Sequence, residues 1–323
     1  PGRDRRREAR HFGRAAPERD HLRMANGILI VDKPAGWTSQ DVAAKLRGVF
    51  HERRIGHSGT LDPMATGVLV LFVGRATRAV EFAESDSKEY LAGLRLGLVT
   101  NTQDTSGETL ETHPVAVTRE QLDAALDAFR GDISQIPPMY SAIKIGGKKL
   151  YELARAGKEV ERAARPVEIY DLQIDAVELP RVTMTVTCSK GTYIRTLCDD
   201  IGADLGCYGC MEALLRTSVG PFALEEACRL EDVEAAVKAG ELGKMLCPID
   251  RLFAEYPAVQ VKKGWEKLAY NGNGLKRSMT DGDRETRDGA CVRIYDAGGN
   301  FLALYRYHRE AEEYTTVKMF CGS

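Results

Sequence analysis

From Gly27 the chain opens on an unbroken apolar run, Ile28-Leu29-Ile30-Val31, followed by the turn residues Asp32-Lys33-Pro34-Ala35-Gly36. A short apolar block bounded by turn chemistry predicts a buried strand. The period then becomes helical. Thr38 and Asp41 have capping-box spacing, and Val42, Leu46, Val49 and Phe50 fall on one face. Residues 56–67 hold three glycines and read as a loop, and 68–73 read as a second buried strand. From Tyr90 the period is two, with Ala92, Leu94 and Leu96 on one face. Thr118 and Gln121 predict the start of a second helix that turns Leu122, Ala125, Leu126 and Phe129 inward. Residues 182–188 alternate apolar side chains with threonines, a half-buried strand that feeds a helix over 192–205. Strands and helices mix without a regular βαβ repeat, so the pattern predicts an α+β domain on a mixed, largely antiparallel sheet.

Beyond Leu252 the pattern shortens to strands at 291–296, 301–307 and 316–319, separated by Gly, Asp and Asn clusters. That predicts a small β-rich domain over 252–323. Asn271-Gly272-Asn273-Gly274 and Asp281-Gly282-Asp283 read as plain loops. Residues 1–23 have no apolar periodicity and are expected to be a disordered extension, which leaves 24–251 as the main domain. A mitochondrial leader is poor in acids, whereas this segment carries four acids and no serine, so a translated extension upstream of Met24 is the expectation.

A length of 323 residues fits two units at the usual ~150 residues per domain. The longest apolar run, 68–73, is far shorter than the ~20 residues of a membrane span, so no membrane role is expected. Eight cysteines in a long chain without a secretory apolar region point to reduced thiols and the cytosol. Net charge is −2, and the first 23 residues hold eight arginines against four acids, so the remainder is more acidic still. Any nucleic acid must therefore be met by local basic clusters. Candidates are Arg47, His51, Arg53 and Arg54; Lys144, Lys148 and Lys149; and Arg155, Lys158, Arg162 and Arg165.

The densest chemistry lies in Gly56-His57-Ser58-Gly59-Thr60-Leu61-Asp62-Pro63-Met64-Ala65-Thr66-Gly67. Glycines let a large ligand approach the backbone, and Asp62 before a proline is held out of helical conformation. By spacing alone, a structural turn in which Asp62 caps local N–H groups is the favoured reading over a catalytic loop.

The same segment resembles the catalytic motif of the TruB family of tRNA pseudouridine synthases. Five further stretches are similar to family segments and follow the family's order across residues 26–222. They are Asp32-Lys33-Pro34-Ala35-Gly36-Trp37-Thr38-Ser39, Lys88-Glu89-Tyr90 with Leu96-Gly97, Thr102-Gln103-Asp104-Thr105-Ser106-Gly107, Pro137-Pro138-Met139-Tyr140-Ser141-Ala142-Ile143-Lys144, and Cys188 to Leu197.

The resemblance implies that Asp62 starts cleavage of the uridine N1–C1′ bond, after which the base turns and rejoins the ribose through C5. Whether the carboxylate attacks C1′, adds to C6 or draws a proton from C2′ stays open; each route needs it ionised. The resemblance pairs Asp62 with Arg195 and makes Tyr90 the surface that receives the flipped base and takes part in removing the C5 proton. It assigns His57 to the space the base vacates, Asp104 to flipped nucleotides, Lys33 and Pro34 to the pocket floor, and Tyr193 to the arginine's flank. It further implies a PUA-like C-terminal domain that holds the acceptor stem, the T-arm of tRNA as substrate, a monomer needing no protein partner, and no metal or organic cofactor for a redox-neutral isomerisation.

The chain departs from the family at Gly209-Cys210, where Ala-His is usual. Cys207 and Cys210 lack a second ligand pair for zinc, and Lys190-Gly191-Thr192 lacks the upstream glycine of a phosphate loop. Two rival functions stand beside the enzyme. A guide-RNA-dependent relative would need accessory proteins, and a tRNA-folding assistant would not need Asp62.

Overall fold

The computed structural model describes residues 26–83, 87–282 and 286–321; the extension expected over 1–23 lies outside them. The main sheet is built from β1 (Gly27–Lys33), β2 (Ile55–Ser58), β3 (Thr66–Val73), β4 (Lys88–Leu96), β5 (Gly131–Gln135), β6 (Arg165–Glu178), β7 (Arg181–Cys188) and β8 (Gly209–Val219). Its order is β1-β3-β8-β4-β7-β6-β5, with β2 also paired to β3. All of these pairings are antiparallel except the short β3–β8 contact, where Thr66 and Gly67 run parallel to Leu215 and Arg216. The expected mixed, largely antiparallel α+β sheet is what forms.

The apolar run of β3 is buried on both faces, which is why it reads as continuous rather than alternating. On one side Leu69, Leu71 and Val73 pack with α1 (Ser39–Phe50) through Val42, Leu46 and Phe50. On the other, Val68, Val70 and Phe72 meet Leu304 and Phe320 of the C-terminal region. Helix α1 starts where the sequence predicts: Thr38 Oγ1 accepts from Asp41 N at 3.1 Å, and the Asp41 carboxylate accepts from Thr38 N at 3.0 Å.

The centre of the sheet alternates. Ala92, Leu94, Met184, Val186 and Met211 face α2 (Arg119–Ala128) and α3 (Ile194–Asp204). Both helices match the predicted ones to within two residues. Four strands of this sheet differ from the expectation. Residues 55–58, the last three of them read as loop, form β2, and residues 131–135, for which no strand was predicted, form β5. Strands β6 and β8 carry no clean period because register shifts at Ile169/Asp171, Ile174/Ala176, Met211/Ala213 and Arg216/Ser218 break the alternation.

The C-terminal strands β9 (Ala258–Val261), β10 (Leu275–Lys276), β11 (Thr280–Asp281), β12 (Cys291–Tyr295), β13 (Phe301–His308) and β14 (Glu313–Met319) form their own sheet, ordered β10-β14-β13-β12-β9-β11. Its two ends, β10 and β11, are separated only by residues 277–279, which span about 10 Å at most. The sheet therefore curls until its edges nearly meet, around Val259, Val292, Ile294, Tyr305 and Tyr307. No helix among the described residues is long and apolar enough to cross a membrane.

Candidate active site

Asp62 sits in the loop between β2 and β3, which three ties hold in place. Leu61 N donates to Ser39 Oγ at 2.9 Å, Gly36 N donates to Pro63 O at 2.8 Å, and Ala65 N closes a turn on Asp62 O at 3.1 Å. The ammonium of Lys33 donates to the carbonyls of Pro34 (2.9 Å), Trp37 (2.6 Å) and Pro63 (3.3 Å). It therefore clamps the β1 turn to the Asp62 loop. Burial pushes the Lys33 pKa down to about 8, and the nearby Asp62 charge opposes that shift.

Arg195 stands in the first turn of α3 and meets Asp62 in a bidentate pair, Nε to Oδ2 at 2.8 Å and Nη2 to Oδ1 at 3.1 Å. Its remaining donors go to Thr102 O (3.1 Å) and Tyr140 O (2.8 Å), and Asp104 Oδ2 lies 3.7 Å from Nε. The guanidinium side chain is 4% exposed and the carboxylate side chain 34%. The arginine is thus hidden behind an aspartate that keeps an open face, and fork-to-fork geometry compensates for desolvating both charges.

That open face borders a cavity of about 270 Å³ whose wall includes Gly59, Asp62, Lys88, Tyr90, Tyr193, Arg195, Leu214 and Arg216. Tyr90, Asp62 and Arg195 are thereby brought together, as the resemblance implies. Burial raises the Tyr90 hydroxyl above the ordinary phenol range, and the Arg216 guanidinium offsets part of that rise. The backbone of Tyr193 is pinned by the buried Gln135, whose amide accepts from Tyr193 N (2.9 Å) and donates to Tyr193 O (3.1 Å). A larger groove of about 680 Å³ adjoins through Thr102 and Tyr140, but it holds none of Asp62, Tyr90 and Arg195.

Four other expected site residues do not line the cavity: Lys33, Pro34, His57 and Asp104. Lys33 reaches the Asp62 loop through Pro63 O, and Pro34 O accepts from the same ammonium. His57 lies on β2; burial, then Arg216 and Arg47, holds its pKa below the usual value, so the imidazole is neutral at pH 7. Asp104 spends one oxygen on its own turn, accepting from Ser106 N, Ser106 Oγ and Thr102 Oγ1, and turns the other toward Arg195. Cys210, at the position of departure, is buried on β8 and does not line the cavity. Gln135, Leu214 and Arg216 went unread in the sequence; no local motif marks them, and they reach the site through strand register.

Among the basic clusters, Arg47 donates to Ile55 O at 2.8 Å and so staples α1 to β2. In the stretch 144–165, Lys144 and Lys148 are exposed on a small hairpin and Lys149 and Arg155 flank the Tyr151 ring, whereas Arg162 turns in and donates to Pro137 O at 3.3 Å. Among the described residues no group of three or more His, Cys, Asp or Glu could hold a metal ion.

Residues 47–194 match the model of the TruB family pseudouridylate synthase N-terminal domain, and 195–254 that of the tRNA pseudouridylate synthase B C-terminal domain. The tRNA pseudouridine synthase B of Azoarcus sp. is 44% identical over 282 residues, covering 87% of this chain and 91% of that protein. The same-named protein of Clostridium kluyveri is 42% identical over 283 residues, covering 86% and 94%. Among solved structures, a chain of a "Cbf5-Nop10-Gar1 Complex" superposes with a TM-score of 0.71 at 25% identity, covering 95% of this chain and 88% of that one. A chain of an H/ACA RNP bound to a substrate RNA containing 2'-deoxyuridine gives 0.72 at 22% identity, covering 97% and 93%, and speaks for the fold alone. With the motifs, the aspartate–arginine pair and these relatives in agreement, the chain belongs to the TruB family of tRNA pseudouridine synthases.

Proposed function

We propose that this chain isomerises a uridine in the T-loop of tRNA, acting as a monomer in the cytosol without a guide or a protein partner. The observation that carries the reading is the bidentate Asp62–Arg195 pair opening, together with Tyr90, onto one cavity. A uridine stacked in a folded arm is out of reach of that cavity, so the nucleotide flips into it. Asp62 then meets the ribose or base as a carboxylate held by Arg195 and starts N1–C1′ cleavage. The base turns against Tyr90, C5 bonds to C1′, the C5 proton leaves and N1 gains one. The reaction is redox-neutral, so the side chains present are chemically sufficient. His57 takes the space the flipped base leaves, and Asp104, 3.7 Å from Arg195 Nε, contacts the flipped nucleotides. The curled C-terminal sheet holds the acceptor stem in the manner of a PUA domain, and free thiols at all eight cysteines suit a reducing compartment.

The test is tritium release from C5-labelled uridine in an unmodified tRNA transcript. The wild type releases tritium alone in solution. Asp62→Asn lowers the rate by about 10³-fold or more while tRNA binding is retained. The fold-level likeness to H/ACA-complex chains supports a second, guide-dependent reading. Release by the purified protein alone removes it; release only after guide RNA and accessory proteins are added establishes it. Equal release by Asp62→Asn would sink both.

A further inference from the structure

Arg216 is the largest fully buried side chain among the described residues. Its Nε donates to Val68 O at 2.7 Å and its Nη2 to Gly59 O at 3.0 Å. Among the described residues Nη1 has no hydrogen-bond partner, and no carboxylate lies within ion-pair reach of the guanidinium. Carbonyl contacts offset only part of the several kcal/mol that desolvating a lone cation costs. An apolar residue would occupy this sheet position at lower cost, so the site requires a positive charge there.

Register identifies what the charge serves. On β8, Arg216 stands directly opposite Tyr90 of β4, and both side chains wall the same cavity. Directly paired residues hold their Cβ atoms about 5 Å apart, which puts the guanidinium beside the phenol ring. Its two carbonyl anchors bracket the Asp62 loop: Gly59 precedes the aspartate and Val68 lies near the start of the strand that follows it. Gly59 at φ +65° leaves room for Nη1, since a Cβ there would lie 3.2 Å from that nitrogen. One side chain thus registers the loop of the carboxylate against the strand of the tyrosine.

We propose that Arg216 is a positioning residue for Tyr90: it fixes the phenol at the cavity wall and keeps positive charge beside its oxygen while the C5 proton is removed. This rests on the proposed isomerisation. The Tyr90 hydroxyl first gives its proton to water. The C5–H bond then breaks, its electron pair returns to the ring, and the proton passes to the phenolate oxygen while N1 takes a proton from water. The burial that opposes a Tyr90 phenolate and the Arg216 charge that favours it act on the same oxygen.

The experiment compares wild type, Arg216→Gln and Arg216→Lys for single-turnover tritium release at saturating tRNA between about pH 6 and 9.5, alongside tRNA affinity. Arg216→Gln is expected to lose about 10- to 100-fold in rate with affinity changed less than about threefold, and its rise of rate with pH moves to higher pH. 3-Fluorotyrosine installed at position 90 reports the same upward displacement of the phenol midpoint by ¹⁹F NMR. A wild-type rate in Arg216→Gln, or a reduced rate with an unmoved pH profile, overturns the proposal and leaves Arg216 a packing residue. Should Arg216→Gln not fold, Arg216→Lys decides. An ammonium keeps the charge but lacks the fork, so the rate drops while the pH profile stays in place, and an unreduced rate overturns the proposal. Absence of release from the wild type defeats the functional reading instead, and the ¹⁹F midpoints still report whether Arg216 acts on Tyr90.

Discussion

Asp62 and Arg195 are 133 residues apart in sequence yet form a two-point contact, and sequence could pair them only through the family motifs that contain them. Local chemistry explains the limit. A carboxylate in a glycine-rich loop has many uses, whereas a guanidinium with four acceptors around it, two on Asp62 and one each on Thr102 and Tyr140, has been built into place. Asp200, in the groove beside this pair, shows burial acting without such compensation. Burial, with the Asp199 charge as the smaller cause, raises its pKa to about 6. A carboxyl whose folded pKa is raised binds more protons folded than unfolded between pH ~4 and ~6, so the folded state loses stability as pH rises through that window. Asp200→Asn should therefore stabilise the protein at pH 7.5 by about 1–2 kcal/mol, after allowing for the group's partial exposure. Urea titrations at pH 7.5 and pH 4 check this, since the gain should vanish at the lower pH.

Elements with an undisturbed period were legible: β1, α1, β4, α2, β7 and α3 all appear where spacing and caps put them. Those missed lack a period for a physical reason. Register shifts break the alternation of β6 and of β8, where they fall between Met211 and Ala213 and between Arg216 and Ser218, and β2 is only four residues long. Missing β8 also hid Arg216, Leu214 and the central role of Gly67. That glycine has φ +97°, and a Cβ on it would lie 2.2 Å from Arg216 O, where β3 and β8 run parallel. Gly67→Ala should accordingly cost about 3 kcal/mol or more, because neither backbone can yield without moving the Asp62 loop or Arg216. Gly131→Ala is the control. Gly131 has φ +83° with nothing within 4 Å of the added atom, so only the backbone penalty of about 1–2 kcal/mol applies. Denaturation midpoints at constant slope separate the two, and equal losses would show that the close approach at Gly67 relaxes freely.

At the scale of the whole molecule, the two sheets share a core: Phe301, Leu304 and Phe320 pack with Phe253 on the face of β1 and β3 that α1 leaves uncovered. The curled sheet therefore completes the burial of the strand that follows the Asp62 loop, a dependence that no local sequence pattern carries. Charge is the property composition described least well. A net charge of −2 gives no general attraction to RNA, so binding must come from arrangement. Lys144 and Lys148 are exposed on the hairpin that precedes Tyr151, clear of the Asp62 cavity and without ion-pair partners among the described residues. For every phosphate that an RNA-binding surface ceases to neutralise, the slope of log affinity against log salt becomes shallower by about 0.7–0.9. The Lys144→Glu, Lys148→Glu double variant should thus flatten that slope by roughly 1.5 and bind tRNA more weakly at low salt. Its single-turnover rate at saturating tRNA should stay at the wild-type value, because neither lysine touches the Asp62–Arg195–Tyr90 group. Filter binding across a salt series checks the first part and tritium release the second. An unchanged slope would move the RNA path off this hairpin, and a lower saturated rate would mean that the hairpin helps to seat the flipped nucleotide as well as the backbone.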